Sequence, residues 1–149
     1  MAEEKDGHFG PVPEIEKSEA LAAAGTPDAL LELRERYLQN RNVTVTELAS
    51  CFPYPLDEFQ MDALRALIGQ RSVVVSAPTG SGKTVCGEAA VYLGVASGKR
   101  VLYTTPLKAL SNQKYNDFCA QFGAERVGLL TGDVSINRQN ASVIVLTTE

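Results

Sequence analysis

Tryptophan is absent from this chain, histidine occurs once and cysteine three times, and each scarcity removes a class of function. The one imidazole, His8, stands in a stretch broken by Gly7, Gly10, Pro11 and Pro13, remote from every cysteine. Cys51, Cys86 and Cys119 are widely spaced with no Cys-x-x-Cys pair, so neither a zinc site nor a dithiol motif can be assembled. Reduced thiols in an intracellular compartment are expected, with Cys86 a small core residue. No apolar run approaches the roughly 20 residues that cross a bilayer. The opening Met1-Ala2-Glu3-Glu4-Lys5-Asp6 is too acidic for a secretory or organellar leader.

What remains is enough for one domain: 149 residues, 44% hydrophobic and 21% charged, have room for a core but not for two nucleotide-binding lobes. The net charge of −4 is local. Glu3, Glu4, Asp6, Glu14, Glu16 and Glu19 stand against Lys5 and Lys17 within residues 1–25, and the rest of the chain balances at zero. Residues 1–25 therefore read as a flexible acidic leader. The balanced remainder keeps enough Lys and Arg for a local basic groove.

Residues 26–50 read as an N-terminal helix and connector. Thr26-Pro27 has the form of an N-cap followed by proline in the first turn, and Leu30, Leu33 and Tyr37 recur on one face of a helix ending near Asn40. Asn42 to Ala49 is compatible with a short strand or a turn. Beyond it, Pro53 and Pro55 force an extended approach to a helix that Asp57 and Gln60 start as a capping box, with Phe59, Ala63, Leu64 and Leu67 as its buried face and Gly69 closing it.

Ser72-Val73-Val74-Val75-Ser76 then predicts a strand that enters Ala77-Pro78-Thr79-Gly80-Ser81-Gly82-Lys83-Thr84. An apolar run, a glycine-bearing loop and Gly-Lys-Thr opening a helix form a P-loop unit. A triphosphate concentrates negative charge, and a tight loop that turns backbone N–H groups inward ahead of a helix N-terminus receives it well. Gly80 and Gly82 permit such a loop. Lys83 can reach the β and γ phosphates, and the Thr84 hydroxyl can ligate magnesium. The full pattern asks for glycine where Ala77 stands, a departure in which the stretch resembles motif I of superfamily-2 helicases.

Further on, a helix to about Ala96 is stopped by Gly98, Val101–Thr104 reads as a strand, and a helix opened by Pro106 runs from Leu107 to about Phe122. Residues 126–130 and 142–146 are two more apolar strands. Alternating strand and helix, with strands apolar throughout, predict an α/β parallel sheet with helices on both faces.

Phe59-Gln60 ahead of the P-loop, Thr105-Pro106-Leu107-Lys108-Ala109-Leu110-Ser111-Asn112-Gln113-Lys114 after it, Thr131-Gly132-Asp133, and Thr147-Thr148-Glu149 together resemble the superkiller-type DExH-box RNA helicases over residues 52–149, plastid and cyanobacterial members above all. The resemblance implies that residues 51–149 form an incomplete first RecA-like lobe, using ATP and Mg2+ to act on single-stranded RNA, in the cytoplasm or a plastid. Gln60 matches the adenine-reading glutamine, a carboxamide that gives and takes a hydrogen bond at once, and it is also readable as a helix cap. The base-stacking aromatic falls on Tyr54, with Phe52 as a competitor. Thr105, Pro106, Lys108 and Gln113 match the motif that holds the sugar-phosphate backbone, an interaction needing no sequence readout. Leu110 reads more simply as a core residue. Thr131, Gly132 and Asp133 match a further nucleic-acid motif and are equally a turn after a strand, and Thr148 falls where phosphate is held.

The same resemblance implies an Asp-Glu-x-His motif soon after residue 149 and a second lobe with transition-state arginines, neither of which this sequence contains. The chain alone is accordingly expected to fold marginally, to bind ATP weakly and not to turn over. The rival readings are a superfamily-2 DNA helicase, whose corresponding motif more often reads Leu-Ala-x-Glu-Lys, and a nucleotide-binding module without turnover.

Overall fold

The structure, a computed structural model, describes Glu35 and residues 43–148. The acidic leader and the helix expected over residues 26–40 lie outside the described residues, apart from Glu35, which is helical and exposed.

Helix α1, Val45–Ala49, stands where the sequence left a strand or turn open. Its start is written locally: the Thr44 hydroxyl accepts from the Glu47 N–H at 3.2 Å and Glu47 returns a carboxylate to the Thr44 N–H at 2.8 Å. Leu48 is fully buried, and with Val43 it joins the same core as the helices that follow. Helix α2, Glu58–Ile68, buries Gln60, Ala63 and Leu64. Gly69 closes it as expected, as its C-cap with an ordinary φ of −71°, and the left-handed residue that turns the chain is the next one, Gln70, φ 55°.

Helix α3, Thr84–Ala96, leads into strand β1, Val101–Thr105, and helix α4, Lys108–Phe122, follows. A single 3-10 turn, Ala124–Arg126, precedes β2, Val127–Leu130. Strand β3, Ser135–Ile136, folds back antiparallel on β2, and β4 is Val143–Thr147. The sheet order is β1-β4-β2-β3, with β1, β4 and β2 parallel. Parallel neighbours need crossover connections, which α4 and the segment through β3 supply.

The strand expected at Ser72–Ser76 is not formed. Among the described residues no strand pairs with this segment, so its backbone groups join no ladder, and Val74 is 96% exposed. The sheet places β4, not this segment, against β1, and the far edge of β1 has no partner among the described residues.

Tyr103 meets Phe118 of α4 edge-on at 5.2 Å and a Cβ at Gly87 of α3 would touch its ring, so both helices cover the same face of β1. On the opposite face Leu102 is 63% exposed. Tyr92 of α3 joins Phe52 to Phe122, at 5.5 and 5.8 Å between ring centroids, which carries the core from the N-terminal segment to α4.

Candidate nucleotide and nucleic-acid site

Helix α3 runs antiparallel to β1, since Gly87 faces Tyr103 while Gly94 abuts Val101. The N-terminus of α3 is thereby brought to the end of the sheet at which β1, β2 and β4 finish. Three of the residues the sequence singled out lie at that end: Thr105 ends β1, Thr131 follows β2 and Thr148 follows β4. The Thr148 N–H donates to the Thr105 carbonyl at 3.2 Å, joining two of these ends directly.

The loop at the head of α3 has the backbone its glycines suggest, with φ of 81° at Gly80 and 82° at Gly82, and a Cβ on Gly80 would meet nothing. Ser81 caps the loop through its hydroxyl to the Pro78 carbonyl at 2.7 Å. The Lys83 ammonium donates to the carbonyls of Ala77 and Pro78, the latter at 3.1 Å, so the lysine folds over its own loop. Pro78, Thr79, Gly80 and Thr84 are exposed, whereas Ala77, Ser81, Gly82 and Lys83 are half-buried. The first N–H groups of a helix have no intrahelical acceptor, and here they open beside a lysine and a hydroxyl. This set of donors suits a phosphate chain with a divalent cation: amides, one ammonium and one hydroxyl, with no carboxylate among residues 77–84 to oppose the anion.

Gln60 is 2% exposed, and its amide is used at both ends. Oε1 accepts from the Asp57 N–H at 2.8 Å and Nε2 donates to the Gly82 carbonyl at 2.9 Å, tying the start of α2 to the phosphate loop. One amide N–H and one oxygen lone pair remain. Of the two candidate aromatics, Phe52 is buried in the core against Tyr92, whereas Tyr54 is half-buried with its ring 6.4 Å from Phe52. Burial, assisted by the Glu88 carboxylate, pushes the Tyr54 hydroxyl up to about 12.

At the strand ends the structure divides the predicted residues. The Thr105 hydroxyl is buried, donating to the Leu107 carbonyl at 3.0 Å and meeting the Ser111 hydroxyl at 2.7 Å, so it shapes the turn into α4. Pro106, Lys108 and Gln113 are exposed. Lys108 pairs with Asp133, and Asp133 also accepts from the Thr131 hydroxyl at 3.0 Å, which lowers its carboxyl below the ordinary value. The Thr131 N–H closes a turn onto the Val134 carbonyl at 2.9 Å, so Thr131, Gly132 and Asp133 do form the turn that the alternative reading described. Leu110, expected in the core, is 42% exposed, and Leu107 is 57% exposed. The face that α4 turns inward is set instead by Ser111, Phe118, Gln121 and Phe122.

Sequence reasoning missed Glu88. It is 1% exposed in α3, with Oε1 accepting from Lys114 Nζ of α4 at 2.9 Å and Oε2 buried without a hydrogen-bond partner among the described residues. Burial raises the Glu88 carboxyl above its usual range although Lys114 pulls it back, and the Lys114 ammonium, pulled down by burial, ends above its own through Glu88. An unsatisfied buried polar atom costs about 1–3 kcal/mol, so this pair is a poor stabiliser. The signal was available, because Glu88 is the only charged residue between Thr84 and Ala96.

A phosphate-type loop at the head of one helix, with parallel strand ends beside it, is the arrangement of a P-loop α/β lobe, here without the strand that usually enters the loop. The DEAD/DEAH box helicase family pattern matches residues 57–149, and the chain belongs to that family. It is 53% identical over 111 residues to the probable helicase HelY of Mycobacterium tuberculosis, covering 70% of this chain and 12% of that protein. Identity to the chloroplastic DExH-box ATP-dependent RNA helicase DExH15 of Arabidopsis thaliana is 51% over 107 residues, 72% of this chain and 9% of the relative. The human exosome RNA helicase MTR4 is 44% identical over 124 residues, 83% of this chain and 12% of the relative. The chain thus spans about a tenth of the length of these curated relatives. No described helix is long and apolar enough to cross a membrane, and no metal-binding cluster of His, Cys, Asp or Glu occurs among the described residues.

Proposed function

We propose that this chain is the ATP-binding and RNA-contacting part of the first lobe of an ATP-dependent RNA helicase. The observation that carries the reading is the convergence of the Lys83 loop and the ends of β1, β2 and β4 on one side of the sheet. In α/β sheets of this kind, ligands bind beyond the carboxyl ends of the strands.

Lys83 would leave the carbonyls of Ala77 and Pro78 for the β and γ phosphates, and the amides of Gly80, Ser81, Gly82, Lys83 and Thr84 would line the same anion with Thr79 at the loop's crest. Thr84 offers its hydroxyl to Mg2+, which when bound neutralises phosphate charge. Tyr54 offers a π face to adenine and Gln60 its remaining N–H and lone pair, and the bond from Gln60 to Gly82 would pass the presence of a base directly to the phosphate loop. Pro106, Lys108, Gln113, Gly132, Asp133 and Thr148 form the exposed surface for a sugar-phosphate backbone, while Thr105 and Thr131 hold its shape. RNA is favoured over DNA because the relatives from Arabidopsis and human carry the name RNA helicase.

The test is steady-state ATP hydrolysis by the whole protein with and without single-stranded RNA. Turnover that rises with RNA, and less with DNA of the same sequence, is the expected result. Equal or greater stimulation by DNA would replace RNA by DNA in this reading, and ATP turnover that no nucleic acid stimulates would leave only a nucleotide-binding module.

A further inference from the structure

We propose that Glu88 and Lys114 are positioning residues through which the phosphate end of α3 and the strand-end surface at α4 sense one another. The inference deepens the helicase reading and rests on it.

Glu88 lies one helical turn beyond Thr84, on the same side of α3. A shift of that end of the helix therefore moves its carboxylate. Lys114 lies in α4 one turn beyond Ser111, whose hydroxyl is bound to Thr105 at the end of β1, and α4 begins with Lys108, which pairs with Asp133. A shift of the start of α4 therefore moves the ammonium. The Glu88 to Lys114 bond, 2.9 Å long, is the one side-chain hydrogen bond among the described residues that crosses between these two helices near the site. The other link between the helices, Tyr92 to Gln121 at 3.2 Å, lies one turn further along α3 and two turns further along α4.

Lys114 also meets two carboxylates at once. Lys114 Nζ is 3.4 Å from Asp117 Oδ2, on a side chain 40% exposed, as well as bonded to the Glu88 carboxylate in the interior. Glu88 in turn has a second buried oxygen with no partner among the described residues, so the inward arrangement leaves one acceptor unmet. A lysine held between a buried and an exposed carboxylate can be drawn toward either, and coupling between sites needs an element that both sites can bias. Were the pair there for stability alone, apolar side chains of similar volume would serve as well or better.

The experiment uses the whole protein and the paired substitution Glu88→Leu with Lys114→Met, which keeps the volume and removes both charges. The expected outcome is an unchanged melting temperature, ATP hydrolysis without RNA within about twofold of wild type, and RNA stimulation reduced by about tenfold, a size typical of coupling between sites. Any lowering of the KM for ATP that RNA produces in the wild type should be lost in the paired variant. Lys114→Arg, which keeps the charge, should retain most of the response, and Asp117→Asn, an exposed change, should alter the response without affecting folding. Stimulation at the wild-type level in the paired variant overturns the inference and leaves the helicase reading intact. If the paired variant does not fold, an unaltered RNA response in Asp117→Asn overturns it equally. Absence of RNA stimulation in the wild type removes the helicase reading and this inference with it.

Discussion

Residues 72–84 and the segments that end β1, β2 and β4 share one side of the molecule, but they are held there by different means. The first is a loop whose shape comes from Gly80 and Gly82 and whose lysine binds the loop's own carbonyls, approached by five residues that no strand supports. The second is held by a register of paired strands, with side chains bound to each other: Thr105 to Ser111, Thr131 to Asp133, Asp133 to Lys108. A phosphate cradle can be encoded in a few consecutive residues because its donors are backbone groups. A surface assembled from three strand ends exists only once the sheet does.

The largest expected effect breaks the first region alone. Lys83→Ala in the whole protein should reduce ATP hydrolysis by about a hundredfold or more, as expected when a charge that meets developing negative charge is deleted, with RNA binding little changed. Near-normal turnover would remove the P-loop assignment, and loss of RNA binding to the same degree would show that the two regions are not separable.

Packing supports both regions at the α3 to β1 contact. A Cβ on Gly94 would overlap Val101 Cγ2, and a β-branched side chain has little freedom to yield. Overpacking costs about 1–3 kcal/mol, and the gain of about 0.5–1 kcal/mol from replacing glycine in a helix offsets only part of it. Gly94→Ala should therefore lower stability in denaturant titration by about 1–2 kcal/mol, and a stabilised variant would show that α3 is free to move off the sheet.

The bridge between α2 and the phosphate loop offers a smaller and more selective change. Gln60→Ala should weaken ATP more than GTP, by about 1–3 kcal/mol in a competition titration, because only adenine presents the donor and acceptor that the remaining amide groups match. Equal weakening of both nucleotides would reduce Gln60 to a cap and a tie to Gly82.

At the strand ends the expected effects are smaller still. Lys108→Ala should weaken RNA of all sequences alike and reduce the slope of log affinity against log salt by about 0.7, the value for one phosphate contact on a single strand. Asp133, with its carboxyl held below 3.8 by Lys108 and Thr131, contributes stability that is present above 3.8 and is lost as pH falls through the lower folded-state value. The difference in stability between wild type and Asp133→Asn should accordingly be small and flat near neutrality and vanish in strong acid. A difference that grows on acidification would contradict this sign.

Much of the fold was legible in the sequence where short-range rules govern it. The helices at Glu58–Ile68, Thr84–Ala96 and Lys108–Phe122 lie within a residue or so of the expected bounds, and β1, β2 and β4 fall on the expected apolar runs. Helix α1 could have been read from the Thr44 and Glu47 capping box. The failures are of another kind: Ser72–Ser76 has strand composition but no neighbour, and Leu110 has core composition but faces outward because Ser111 is the residue bound to Thr105.

By itself the sequence determined the phosphate-type loop, since Gly80, Gly82, Lys83 and Thr84 act through local backbone angles and the chemistry of adjacent side chains. It also determined the family, because that is carried by motifs in order along the chain. Only the tertiary structure decided that Glu88 meets Lys114, that Gln60 reaches Gly82 and that Lys108 is held by Asp133, contacts between residues 26, 22 and 25 positions apart. Hydrogen bonds between groups so distant along the chain depend on helix packing and strand register, and neither composition nor periodicity specifies those until the sheet has formed.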